Sequence, residues 1–190
     1  MKKLIVATSN PGKLQEMQEY LTGLSWELAL KPPELDVEET GVTFIENAII
    51  KASEVAKTLK QWAIADDSGL AVDALDGAPG IYSARYEKTD ADRIDRLLKE
   101  LGNNNNRQAQ FICAIAIARP DGSIALQTEG ICHGGILSAP RGDGGFGYDP
   151  IFYVPSQKQT FAEMSSEIKN QVSHRGLAFA QLLPELKKIS

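Results

Sequence analysis

Leu4-Ile5-Val6-Ala7-Thr8 runs straight into Ser9-Asn10-Pro11-Gly12-Lys13. The first five residues are apolar and partly β-branched, the pattern of a short buried strand. Ser9 to Gly12 is turn chemistry. From Lys13 to Leu21 the residues Leu14, Met17 and Leu21 share one face, so the spacing predicts a helix directly after Gly12. A strand, a tight turn and a helix open an α/β fold. The first amides of such a helix lack partners, and the helix dipole makes them attractive to anions. Gly12 lets a ligand approach the backbone, and Lys13 adds a point charge. Thr8 to Lys13 is therefore either a phosphate cradle or an ordinary capped βα turn. A GxxxxGK[ST] loop is absent.

Outward from this unit the elements alternate less regularly. Trp26, Leu28 and Leu30 alternate with Glu27 and Ala29 as a second strand. Thr43 to Leu59 is the clearest helix, with a Thr43/Glu46 capping box and a stripe of Ile45, Ala48, Ile49, Ala52, Val55, Ala56 and Leu59. Trp62 to Ala65 reads as a short strand that ends at Asp66-Asp67-Ser68-Gly69, with extended structure resuming at Leu70 to Val72. Gly77 to Gly80 reads as a loop, Thr89 to Leu101 as a helix and Asn103 to Asn106 as a polar connector. Ala109 to Ala118 and Ile124 to Thr128 form strands joined by Pro120-Asp121-Gly122. A glycine-rich segment, Gly142 to Gly147, precedes an extended Ile151 to Val154. Ser173 to Leu186 closes the chain as a helix whose end Pro184 distorts. The expected fold is α/β, a mixed twisted sheet flanked by helices.

With 190 residues, the chain suits one domain spanning 1–190, or two tightly joined lobes. A domain of this size buries roughly 70% of its unfolded surface and needs no disulfide. Cys113 and Cys132 form no CxxC and read as reduced thiols. The net charge of −5 argues against a nucleic-acid face, though not against one small phosphate pocket. The basic start Met1-Lys2-Lys3 leads into too short an apolar run for a signal peptide, and no run approaches the ~20 residues of a membrane span. A soluble, cytoplasmic protein is expected.

Three further segments carry chemistry. Asp66-Asp67-Ser68 sits at an expected strand end, where two carboxylates avoid an apolar core. Neighbouring strand residues face opposite ways, so only one is expected to be a primary ligand of a hard cation. The acidic pair Glu38-Glu39 is the other carboxylate source. In Gly144-Gly145-Phe146-Gly147-Tyr148-Asp149-Pro150, glycines leave room for a flat ligand and Phe146 is placed to stack on a base; a β-bulge around a core aromatic fits the same residues. Ser173 reads as an N-cap that puts His174 and Arg175 in a helix's first turn, against the dipole, while Lys169 lies just upstream. There is no HxH or HExxH zinc signature and no GxSxG elbow.

Taken in order, Thr8–Lys13, Glu38–Ala48 with Lys51, Ala65–Leu70, Gly77–Tyr86, Gly145–Pro150 and Ser173–Arg175 resemble the inosine triphosphate pyrophosphatase family, the XTP/dITP diphosphatases, over essentially the whole chain. The resemblance implies an elongated, two-lobed single domain with a central nucleotide cleft, usually a homodimer. It implies Mg²⁺-dependent hydrolysis of ITP, dITP and XTP to the monophosphate and pyrophosphate. It also implies roles. Thr8, Ser9, Asn10, Pro11, Gly12 and Lys13 cradle phosphates, and Lys51 reaches them. Asp67 accepts a proton and touches the metal, with Glu38 ahead of Glu39 as the second metal carboxylate and Asp66 in support. Ser68 contacts substrate. Phe146, Gly147, Tyr148, Asp149, Lys169, His174 and Arg175 hold the base. Donors such as Arg175, Lys169 or backbone amides suit a 6-keto purine and leave adenine's amino group opposed. A related pyrophosphatase for modified pyrimidines, and a nucleotide-binding module without turnover, are the rival readings.

Overall fold

The computed structural model describes residues 2–189. The ends of the expected domain, Met1 and Ser190, lie outside them, and so does the first residue of the basic start. Seven strands form one mixed sheet: β1 (Lys2–Val6), β2 (Trp26–Leu30), β3 (Trp62–Val72), β4 (Gln108–Ala118), β5 (Ile124–Ile136), β6 (Phe152–Val154) and β7 (Gln159–Thr160), in the hydrogen-bonded order β2-β1-β3-β4-β5-β6-β7. β1 pairs in parallel with both β2 and β3, while β5–β6 and β6–β7 are antiparallel. The helices are α1 (Pro11–Leu21), α2 (Phe44–Leu59), α3 (Asp90–Leu101), α4 (Ser166–Val172) and α5 (His174–Ile189). The expected mixed α/β sheet flanked by helices is the fold found.

Several boundaries differ from the sequence expectation. β3 does not stop at Ala65 but runs through Asp66-Asp67-Ser68-Gly69 to Val72. β5 continues past Thr128 to Ile136, where Gly130, Gly134 and Gly135 masked the pattern. A Cβ on Gly134 would collide with the Tyr153 carbonyl, so the close pairing of β6 requires glycine there. α5 continues past Pro184 to Ile189. The short β7 and α4, and 3₁₀ turns at Asp73–Leu75, Gly80–Arg85 and Asp149–Ile151, had no periodic signal.

The chain forms two compact units. It leaves the first after Asp67, returns at Cys113, leaves again after Gly130 and returns at Arg175. In the first unit the strand pleat sorts the core into two faces. Leu4, Val6, Ile64, Cys113, Ile115 and Ile117 pack with Met17 and Leu21 of α1 and Phe179 and Leu182 of α5. Ile5, Ala7, Ala63, Ala65, Ala114, Ala116 and Ala118 pack with Ala48, Ala52, Val55 and Ala56 of α2. Alanine dominates both surfaces of that second contact. In the second unit, Leu70, Val72, Phe111, Ile136 and Phe152 from the strands meet Ile94, Leu97 and Leu101 of α3, together with Tyr148, Phe161 and Met164.

Candidate active site

The pleat of β3 decides where the two aspartates go. Asp66 has the parity of Ile64 and faces α1 and α5; Asp67 has the parity of Ala63 and Ala65 and faces α2. Both are buried, at 1% and 5% exposure, against the expectation that adjacent carboxylates avoid the core. The strand can carry them inward because each meets cations there.

On the α1/α5 side, Asp66 Oδ2 lies 3.2 Å from Lys13 Nζ and accepts a hydrogen bond from Arg175 Nη2 at 3.0 Å. Arg175 also pairs with Glu16 of α1. Two cations thus meet two carboxylates. Burial alone would push the Asp66 carboxyl up, but Lys13, Arg175 and Lys51 hold it far below the usual range. Cys113 sits 4.0 Å from the same oxygen, and burial pushes its thiol up to about 12. It is a filler of this cluster rather than a nucleophile.

On the α2 side the balance is different. Lys51 Nζ lies 2.9 Å from Glu39 Oε1 and 3.6 Å from Asp67 Oδ1, one cation between two carboxylates. Burial, aided by the negative charges of Glu39 and Asp66, raises the Asp67 carboxyl to about 6 despite Lys51 and Lys13. Asn47 donates to Asp67 Oδ2 at 3.3 Å and accepts the Gly41 amide at 2.8 Å. Gly41 comes so close that a Cβ would stand 2.7 Å from Asn47 Oδ1. The Val42 amide donates to Glu46 Oε2, so the loop before α2 is pinned at two successive residues. This pinning delivers Glu39 to Lys51. Glu38, expected to be the metal carboxylate, is exposed instead. Adjacent residues of an extended segment point apart, and only one of the pair can face the site. Asn47 was missed by sequence reasoning, although a polar residue inside an otherwise apolar helical stripe was a usable signal.

The turn before α1 also departs from expectation. The helix starts at Pro11, two residues early, with Asn10 as its N-cap. The amides of Gly12 and Lys13 both donate to Asn10 Oδ1, and that of Asn10 to Thr8 Oγ1. These are the amides the sequence reading assigned to phosphate. A capping side chain satisfies the same orphan groups as an anion would. The Lys13 side chain is partly buried at Asp66, Ser9 is exposed, and Pro11 has no amide proton to offer.

Base-reading candidates fall in the second unit, with one exception. His174 stacks on Phe111, ring centroids 4.7 Å apart, and is followed by Phe161 at 5.9 Å. Lys169 is buried, donates to Asp149 Oδ2 at 2.7 Å and lies 5.0 Å from the Phe146 ring centroid. Asp149 Oδ2 also accepts the Phe146 amide at 3.0 Å. Tyr148 is buried, and its hydroxyl donates to the Ser83 carbonyl, so it braces the segment rather than facing a ligand. The exception is Arg175, which lies in the first unit and pairs with Asp66 and Glu16. Ser68, the first residue of the second unit, is half-buried on β3.

A buried carboxylate thus lies beside a lysine and a second carboxylate, on a mixed sheet with helices on both faces. The model of the Ham1 family matches residues 4–185, and the chain belongs to that family. A protein of Nostoc sp. named dITP/XTP pyrophosphatase is 70% identical over 97% of this chain and 94% of its own length. One of the same name from Synechocystis sp. is 65% identical over 96% and 94%. Among solved structures, a HAM1 protein from Coxiella burnetii superposes with a TM-score of 0.90 at 44% identity, covering 99% of this chain and 100% of that one. A nucleoside-triphosphatase / dITP/XTP pyrophosphatase from Mycobacterium abscessus superposes at 0.76 and 43%, covering 97% and 99%.

Proposed function

We propose that this protein is a nucleoside triphosphate pyrophosphatase that hydrolyses dITP, ITP and XTP to the monophosphate and pyrophosphate. The observation that carries the reading is Asp67: buried mid-strand, facing Lys51 and Glu39, with its carboxyl raised to about 6. A base poised near neutral pH can take a proton from an attacking water. The name borne by relatives at 70% and 65% identity supports the same substrates.

Phosphoanhydride hydrolysis needs phosphate charge neutralised and a water oriented. Lys51 and Lys13 supply positive charge on the two sides of β3. The α2 side carries two carboxylates for one ammonium, and these are hard oxygen donors suited to Mg²⁺. Asp67 and Glu39, the latter replacing Glu38, would hold the ion. When bound it neutralises phosphate charge and lowers the pKa of nearby water. Among the described residues no three His, Cys, Asp or Glu side chains form a metal cluster, so the reading gives the remaining ligands to phosphate and water.

Base selection rests on the second unit. Phe146 would stack on the purine, and the Lys169 ammonium or a backbone amide would donate to a 6-keto oxygen. A site that hydrogen-bonds a polar group can reject the mismatched analogue by roughly 10⁴. GTP shares the keto group, so its rejection depends on the 2-amino group. No helix of the described residues is long and apolar enough to cross a membrane. A cytoplasmic location, a homodimer and one cooperative domain belong to the same proposal.

A panel of nucleoside triphosphates, assayed for pyrophosphate and orthophosphate with and without Mg²⁺, tests it. Strong preference for dITP and XTP with pyrophosphate as the product is expected. Equal turnover of ATP, preference for a modified pyrimidine, or binding without turnover would each overturn it.

A further inference from the structure

We propose that Asp90, at the start of α3, is a positioning residue for base recognition, because its carboxylate anchors the backbone beside Phe146. This rests on the reading that Phe146 stacks on the purine.

Two successive amides at the ring are each held by a carboxylate. The Phe146 amide donates to Asp149 Oδ2 at 3.0 Å, and the Gly147 amide donates to Asp90 Oδ2 at 2.8 Å. Asp149 closes its own turn, since its amide donates back to the Phe146 carbonyl. Asp90 reaches the turn from 57 residues away in sequence. It ties the turn at Gly147 to the start of α3, as the Tyr148 hydroxyl ties the next residue to the Ser83 carbonyl.

The anchor is itself oriented. Asp90 Oδ1 accepts from Arg93 Nη1 at 2.6 Å, and Arg93 donates to the carbonyls of Ala84 and Glu87 at 2.6 and 2.9 Å. Thr89 caps α3 and places Asp90 in its first turn. The carboxylate can thus accept the Gly147 amide with one oxygen while the other is fixed. The glycines leave the backbone of the turn free to move where no contact holds it. Gly147 is in the left-handed region at φ +60°, and a Cβ on Gly145 would collide with the Asp149 carboxylate.

The Asp90 side chain is about half exposed, at 48%. Its removal should leave the fold standing and loosen the turn. A ring that is no longer pre-oriented binds the base more weakly without altering the proton transfer.

The test uses the full-length protein with Asp90→Ala, Asp90→Asn and Phe146→Ala, and the double variant Asp90→Ala/Phe146→Ala. For Asp90→Ala we expect KM for dITP to rise roughly five- to tenfold, the net scale of one ordinary hydrogen bond at a half-exposed site, with kcat within about twofold. Asp90→Asn retains an acceptor oxygen and should recover most of the loss. In the Phe146→Ala background the Asp90 change should add nothing. Amide hydrogen exchange at Gly147 should quicken in Asp90→Ala at an unchanged melting temperature. An unchanged KM, a loss confined to kcat, or additive losses in the double variant would overturn the proposal. If the unaltered protein turns over neither dITP nor XTP, the functional reading fails instead. Unchanged Gly147 exchange, which needs no substrate, would still overturn the anchor.

Discussion

The two units organise polar groups in opposite ways. In the first, charge is concentrated: Lys13, Glu16, Asp66 and Arg175 on one side of β3, and Glu39, Lys51 and Asp67 on the other. In the second, aromatic rings take over, with His174, Phe111 and Phe161 stacked and one buried pair, Lys169–Asp149, beside Phe146. The Ser173-His174-Arg175 triplet straddles the contrast, sending its histidine to the rings and its arginine to the charges. Even within the first unit the two sides differ. The Asp66 side is balanced, two against two, and holds its carboxylate ionised. On the Asp67 side burial raises the carboxyl to about 6, and one lysine shared between Asp67 and Glu39 does not offset it. The two carboxyls of one strand are thus set apart by burial and by the cations each one meets.

The sharpest break of that contrast is Asp67→Asn. Turnover of dITP should fall about 10²–10⁴-fold, the usual cost of losing a general base, while circular dichroism stays unchanged. Near-normal kcat would remove Asp67 from the chemistry. The opposite face should respond in stability. Arg175→Met leaves Asp66 and Glu16 without their buried partner, and breaking such a pair costs roughly 3–5 kcal/mol. Thermal melts of Arg175→Met and of Arg175→Met/Asp66→Asn would show it: the single change should cost more than the pair. Equal losses would mean that Arg175 does not hold Asp66 as described.

In the second unit, Phe146→Ala should spare stability and raise KM for dITP roughly tenfold, the range of one base–aromatic stack. A fall in kcat alone would place the ring elsewhere in the reaction. The smallest effect is in acid. The folded Asp66 carboxyl titrates below its unfolded value near 4, so its stabilisation is complete above that pH and is lost as pH falls below it. Urea midpoints of the metal-free protein between about pH 5 and 3 should therefore drop more steeply than those of Asp66→Asn. Parallel curves would mean that Lys13 and Arg175 do not hold Asp66 as described.

Local chemistry carried much of this protein from sequence. The strand–turn–helix at Leu4 to Leu21, the Thr43 cap of α2, the helix from Thr89 to Leu101 and the opposed faces of Asp66 and Asp67 follow from periodicity, capping and the strand pleat, which act over a few residues. The order of motifs was enough to point to the family. What stayed hidden depends on contacts distant in the chain. Asp66 is 109 residues from Arg175, and Arg175 is 159 from Glu16, so no window of sequence shows that buried cations let β3 run on through its aspartates. Glu39 rather than Glu38 reaches Lys51 because Asn47 and Glu46 pin the preceding loop. The α1 amides go to Asn10 because capping is local, but whether a turn is capped by itself or by a ligand is settled only by the folded geometry. Burial sets the cost of each charge, and burial is a property of the assembled sheet and helices, not of the residues taken in order.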